Sequence, residues 1–354
     1  KNILINFIFI INFKEELFMA DKKMLTPAEI AEYTIEAGVK KATTPNKKVL
    51  ASAFLAGAYI AFGALGSVGA AYNLLANPET YGLGKMVAGL MFPAGLIFVL
   101  IAGADLFTGN ILITLAALKK RVTWSQAFKN WALVWIGNLI GGALVAWLVS
   151  LSGVFDWSAG LYGGVIVKNA IGKLGFTWVA AIASGILCNW IVCATVWMTY
   201  GAKDVTGKIL AGFFGVFLFV CTGFEHCVAN MAYFFAGLFA KSNPVYLEAA
   251  HKTAEEASKL NIGSIFTHNL IPVTIGNILG GAIYNTGNLA VANSTFKENY
   301  ARSGGAIYNA GNLIVNSSTF RYNKATNHGA ALIVDSIKNR KDGGRGGDIC
   351  NFGN

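Results

Sequence analysis

The sequence predicts an all-α membrane protein with six spans, two of them broken, built from two inverted three-helix repeats. Three observations predict it. Of 354 residues, 55% are hydrophobic and 13% charged, with a mean hydropathy of +0.52, whereas soluble domains carry about 25% charged residues. Uncharged runs long enough to cross a bilayer recur along the chain. Two short motifs, one acidic and one rich in glycine, each occur twice and in the same order.

Composition also excludes several classes. The formal charge is +10, but many basic residues lie in short loops between apolar runs, where they set orientation. No basic stripe interleaved with aromatics is present, which argues against a nucleic-acid partner. Of five cysteines, Cys188, Cys193, Cys221 and Cys227 fall in apolar runs. Their spacing suits neither a metal site nor a disulfide framework, and they read as buried free thiols. No nucleophile–base set or metal-ligand cluster appears, so neither an enzyme nor a cofactor is expected.

Residues 1–18 contain Ile, Asn, Phe and Lys in excess, and Met19-Ala20-Asp21 looks like a natural start. The first eighteen residues are read as translated upstream sequence; the alternative, a signal peptide, lacks a small-residue cleavage site. Residues 19–48 are polar. Thr26-Pro27-Ala28-Glu29 predicts a helix start with Thr26 as N-cap, running to about Val39. Its lysines, with Lys40, Lys41, Lys47 and Lys48, precede the first span.

The spans follow at 49–75, at 86–118 with an interruption at Asp105, at 131–155, at 174–202, at 209–240 with an interruption at Glu225-His226, and from Ile262 onward. Lys119-Lys120-Arg121 and Lys203 then share a side with the basic N-terminal segment. That side is the cytoplasm by the positive-inside rule. The opposite side receives loops at 153–167 and 243–260, the second with some helical pattern. A multi-pass protein of the plasma membrane with a cytoplasmic N-terminus is expected.

The two interruptions match. Gly103-Ala104-Asp105-Leu106-Phe107-Thr108-Gly109-Asn110 aligns with Gly223-Phe224-Glu225-His226-Cys227-Val228-Ala229-Asn230. The next span of each half carries Ile136-Gly137-Asn138-Leu139-Ile140-Gly141-Gly142 or Ile275-Gly276-Asn277-Ile278-Leu279-Gly280-Gly281. Three spans per copy make the second copy inverted. Broken spans at corresponding positions of inverted halves mark a midplane solute path, because irregular backbone survives there only when protein or a water-lined cavity covers it. An acid beside a histidine at membrane depth is a functional-site hypothesis by default; a histidine satisfied by a neighbour in a bundle is the alternative.

These motifs, with Asn269-Leu270-Ile271-Pro272-Val273-Thr274-Ile275-Gly276-Asn277, resemble the formate/nitrite transporter family over about residues 25–283. The resemblance implies an aquaporin-like six-helix protomer with its own pore, assembled as a homo-pentamer in the lipid bilayer. It implies passage of small monovalent anions: formate first, with nitrite or hydrosulfide as alternatives, and with protons as a coupled partner. Transferred residue by residue, it places His226, Thr108, Asn189 and Glu225 along the pore and proton relay. Leu106 and Phe107 then form a cytoplasmic constriction, and Phe92, Val192 and Phe219 an outer one. Apolar rings can gate by dewetting; ordinary packing is the alternative for each. Lys173, at the outside edge of the fourth span, would draw anions in, with a snorkelling lysine as the alternative. Glu225 and Asp105 are expected to tie the broken spans together more than to touch an anion.

Two routes remain open: an anion protonated by way of His226 crosses as the neutral acid, or it passes paired with a charged imidazole. The runner-up of a different class is a water or neutral-solute channel. Against it stand the Glu225-His226 pair and the absence of paired Asn-Pro-Ala motifs.

The tail departs from the family. Gly280-Gly281-Ala282-Ile283-Tyr284-Asn285-Thr286-Gly287-Asn288-Leu289 recurs as Gly304-Gly305-Ala306-Ile307-Tyr308-Asn309-Ala310-Gly311-Asn312-Leu313, a period of 24 residues, with a weaker copy near His328. Such a period suggests coils of a parallel β-helix and resembles adhesin-like repeats. Residues 284–354 are read as a fusion at the shared Gly-Gly-Ala-Ile stretch, by recombination, frameshift or assembly error. A genuine fused sensor domain is the alternative, as is an adhesin-like surface protein with a non-functional membrane part. The sixth span is left with about fifteen to twenty apolar residues, near the lower limit for crossing, and poor transport by the chain as given is expected.

Overall fold

The computed structural model describes residues 24–283 and, beyond them, eight short strands. The expectation for residues 1–18 falls outside the described residues, as does the start of the tail at 284–288, with Asn285 and Asn288. Residues up to Ile283 and from Tyr284 onward form two separate units.

In the first unit, helix α1 (Pro27–Thr43) opens on a full capping box: Thr26 accepts from the Glu29 N–H, and the Glu29 carboxylate accepts from the Thr26 N–H at 2.7 Å. It continues past Val39 because nothing there breaks it. It ends where Thr44 precedes Pro45 and turns extended, since a residue before proline is disfavoured in the helical region.

The first span is α2 (Asn46–Ala76). The second comprises α3 (Tyr81–Met91) and α4 (Pro93–Ala102), joined at Pro93, and then α5 (Phe107–Asn110) and α6 (Ile113–Leu118) beyond a break. The third is α7 (Trp124–Leu151). Where the sequence predicted a loop at 153–167, a 3-10 turn (Val154–Asp156) and helix α8 (Leu161–Lys173) form instead. The glycines that read as loop serve packing: a Cβ on Gly163 would lie 2.7 Å from the Tyr246 ring.

The fourth span, α9 (Trp178–Gly201), starts after its Thr177 cap, later than expected from hydropathy. The fifth consists of α10 (Val205–Thr222) and α11 (Cys227–Ala240). Two short helices, α12 (Pro244–Ala249) and α13 (Ala254–Ser258), lead to the sixth, where α14 (Ile262–Ile265), a π turn (Phe266–Leu270) and α15 (Ile271–Ile283) run on from one another. Among the described residues, six segments are long and apolar enough to cross a membrane; the sixth has 21 residues, slightly more than expected. Cys188, Cys193 and Cys227 are buried free thiols, whereas Cys221 is half-buried.

Helix α1 marks one end of this unit. The Leu25 N–H donates to the Gly201 carbonyl at 2.9 Å, where α9 finishes, and Lys41 stands just before α2 begins. Since α9 spans about 36 Å at 1.5 Å per residue, Lys173 just before its start belongs to the opposite end.

Two helix pairs form the frame, α2 with α7 and α9 with α15. Each closes on glycine: a Cβ on Gly141 would overlap the Phe54 carbonyl, and one on Gly280 the Ile186 carbonyl. Close approach of this kind substitutes for the hydrophobic drive that lipid removes.

In the second unit, strand β1 (Leu289–Ala292) pairs in parallel with β4 (Ile307–Asn316), β4 with β7 (Leu332–Ile337), and β7 with β8 (Cys350–Asn351). Strand β2 (Thr295–Lys297) pairs with β5 (Thr319–Arg321), and β3 (Tyr300–Ala301) with β6 (Lys324–Ala325). Leu289 opposes Leu313, Thr295 opposes Thr319 and Tyr300 opposes Lys324.

Candidate functional site

The site begins with two helix breaks. Gly103 ends α4 at φ 79° and Gly223 ends α10 at φ 77°, left-handed conformations that glycine adopts without a Cβ clash. At each break three non-helical residues follow, the last of them extended, before a second helix starts. The N-cap of α5 is Leu106, and that of α11 is His226.

Buried breaks expose backbone groups that need partners. Asn138 Oδ1 accepts from the Phe107 N–H at 2.9 Å, and its Nδ2 donates to the carbonyls of Ala53 and Asp105. Asn277 Oδ1 accepts from the Cys227 N–H at 2.9 Å, and its Nδ2 donates to the carbonyls of Gly185 and Glu225. The two asparagines of the repeated glycine motif are thus clamps, one per break.

A second pair of clusters holds the acids. Asp105 lies 3.1 Å from Lys41 Nζ and accepts from Asn110 Nδ2, which also donates to Asn130. Glu225 Oε1 lies 2.6 Å from Lys173 Nζ, while its Oε2 accepts from Asn230 at 2.7 Å and Asn269 at 3.1 Å. Asn130 Nδ2 donates to the Lys41 carbonyl as Asn269 Nδ2 donates to that of Lys173. The lysine, acid and paired amides therefore recur at both ends.

Between the clusters, Thr108 and His226 meet. Thr108 Oγ1 and His226 Nε2 are 2.9 Å apart, and both residues are buried. His226 Nδ1 accepts from the Ala229 N–H at 3.1 Å, capping α11. A ring nitrogen that accepts carries no proton, so the neutral ring holds its proton on Nε2, facing Thr108. Asn189 Nδ2 donates to the carbonyls of Thr108 and Asn277. The Phe219 ring stacks on His226 at 5.8 Å and meets Phe92 edge-on at 5.6 Å.

A cavity of about 90 Å³ opens beside His226, lined also by Lys85, Phe92, Asn169, Lys173, Phe219, Asn230 and Tyr233. Its lining holds Phe92 and Phe219 but neither Val192 nor Glu225. Val192, Leu106 and Phe107 are buried at no more than 3% exposure. Lys173 lies just before the fourth span, lines the cavity and pairs with Glu225. It ends α8, and Glu225 draws its ammonium inward, where it also lies 5.5 Å from the Tyr233 ring centroid.

Sequence reasoning missed Lys41, Lys85, Asn130 and Tyr233. Asn130 was within reach: the spacing that aligns Asn138 with Asn277 also aligns Asn130 with Asn269.

The formate/nitrite transporter family model matches residues 28–290. Formate channel FocA of Escherichia coli K12 is 37% identical over 266 residues, covering 73% of this chain and 91% of that protein. The uncharacterized transporter YrhG of Bacillus subtilis 168 is 38% identical over 261 residues, covering 73% and 90%. A solved pentameric formate channel with formate bound matches with a TM-score of 0.61 at 32% identity, covering 68% of this chain and 96% of that one.

Proposed function

The chain belongs to the formate/nitrite transporter family, and from that premise we propose a membrane channel for small monovalent anions, formate first, with a histidine at its centre. The observation that carries the reading is the buried Thr108–His226 contact between the two helix breaks, with a polar cavity on one side of it. A titratable ring at membrane depth is costly unless it serves a path. Here it is hydrogen-bonded at both nitrogens and borders open volume.

The anion enters from the cavity and loses water at the Phe92–Phe219 contact. There the neutral acid becomes the favoured form, because desolvation penalises charge. A proton taken up from cavity water charges the His226 ring, and giving it to the anion returns the ring to its neutral form, with Nε2 facing Thr108 Oγ1 and Asn189 fixing the Thr108 backbone. Leu106, Phe107 and Val192 complete the apolar constrictions. Glu225 serves by holding Lys173, Asn230 and Asn269 in place. Nitrite and hydrosulfide fit the same chemistry and stand as alternative cargo.

The proposal extends to an aquaporin-like protomer in a homo-pentamer of the plasma membrane, with α1 on the cytoplasmic side. The division is then a helix at 19–48, a channel at 49–283 and an appended tail at 284–354. The parallel 24-residue register supports reading the tail as β-helix coils. Uptake into liposomes comparing formate, nitrite, hydrosulfide and glycerol tests the whole reading. Glycerol uptake without anion uptake refutes it in favour of a neutral-solute channel.

A further inference from the structure

The cavity beside His226 is lined by two lysines, and they are not equivalent. Lys173 is bound to Glu225 at 2.6 Å, and its side chain is only 14% exposed. An ammonium held by a carboxylate at that distance presents little net charge to a passing ion. Lys85, on α3, is half-buried, and no carboxylate among the described residues lies within salt-bridge distance of it. Its Nζ stands over the second helix break: a Cβ built on Gly223 would lie 3.5 Å from it. The Lys85 carbonyl also accepts from Cys221 Sγ at 3.7 Å, which fixes α3 against the end of α10.

The cavity therefore suits an occupant that brings negative charge for Lys85, such as a small anion with part of its water shell. A cavity of about 90 Å³ exceeds the ~10–15 Å³ that one water needs.

We propose that Lys85 is the anion-capturing cation of this cavity, while Lys173 is a structural partner of Glu225. This deepens, and rests on, the channel reading.

The test is formate uptake by full-length protein in liposomes at neutral pH, over a series of formate and inert-salt concentrations. Lys85→Gln should raise the half-saturating formate concentration about three- to twentyfold, the range for losing one charge about 6 Å from the anion as the effective dielectric falls from about 80 to about 30. Maximal flux should stay within about twofold, and the salt dependence should weaken. Lys85→Arg should restore both. Lys168→Gln, at an exposed position of α8, should change neither. Lys85→Met, which keeps the aliphatic stem, is read in the same way if Lys85→Gln does not assemble. Failure of both to assemble, with Lys85→Arg assembling, makes the residue structural and overturns the inference. So does an unchanged half-saturation in a conducting Lys85→Gln protein, or a fall in maximal flux alone. An assembled protein that moves none of the three anions, either as full-length chain or with its sixth span extended by about ten apolar residues, overturns the channel reading and this inference together.

Discussion

Replacing His226 separates its two jobs. Its ring caps α11 through Nδ1 and contacts Thr108 through Nε2. His226→Ala removes both. Losing an N-cap costs about 0.5–2 kcal/mol, and losing one net buried hydrogen bond costs a further ~0.5–1.5 kcal/mol. The cavity left by the ring adds to that. A total of about 2–4 kcal/mol is expected. His226→Asn behaves differently, because asparagine is among the best N-caps and its second amide atom can still serve Thr108. Its cost should stay near ~1 kcal/mol, yet it removes the only titratable ring at the contact. Thermal unfolding of the purified assembly followed by size exclusion should rank wild type first, His226→Asn close behind and His226→Ala well below. Formate flux measured across about pH 5 to 8, the range in which an ordinary imidazole changes charge, should differ in shape between wild type and His226→Asn. A well-assembled His226→Asn protein with the wild-type pH profile refutes the proton role. His226→Ala as stable as His226→Asn refutes the capping role.

Asn138→Ala and Asn277→Ala should each destabilise by about 3–6 kcal/mol, since each strands a buried N–H and carbonyl groups at a helix break; a small loss for either, read by thermal unfolding, refutes the clamp. Gly141→Ala and Gly280→Ala should each cost about 1–3 kcal/mol through overpacking against the Phe54 or Ile186 carbonyl, and unchanged melting of the assembly counts against the packing argument. A cysteine placed at position 120 should react with an impermeant reagent only in permeabilised cells, and one near Asp156 in intact cells; the reverse pattern inverts the topology. Replacing the residues after Ile283 by about ten apolar residues should raise the yield of assembled protein, because a longer sixth span crosses more readily; equal yields refute that reading of the join.

The breaks were legible because glycine, acid and asparagine recur at fixed spacing, and because an ionisable residue in an apolar run has few innocent explanations. Asn138 and Asn277 were visible as a motif but not as clamps, since their partners lie two helices away. Lys173 was legible as a residue at the edge of the fourth span, but its ion pair was not, because the Glu225 carboxylate that takes its ammonium is distant in sequence. Lys85 gave no signal at all: a single lysine in an apolar run is indistinguishable from one snorkelling to the surface. Helix α8 was hidden by glycines whose purpose appears only when Tyr246 packs against them.

The two halves share their clamps, acids and glycine contacts, yet Leu106 and His226 occupy the same place in them, each just ahead of the second helix of its break. Only one can ionise. On the channel proposed above, two ionisable rings along one path would titrate as a coupled pair wherever their charges interact, the second proton opposed by the first. With leucine as the counterpart, the proposed path has a single exchange position, and Leu106→His should broaden one step in the flux–pH profile into two.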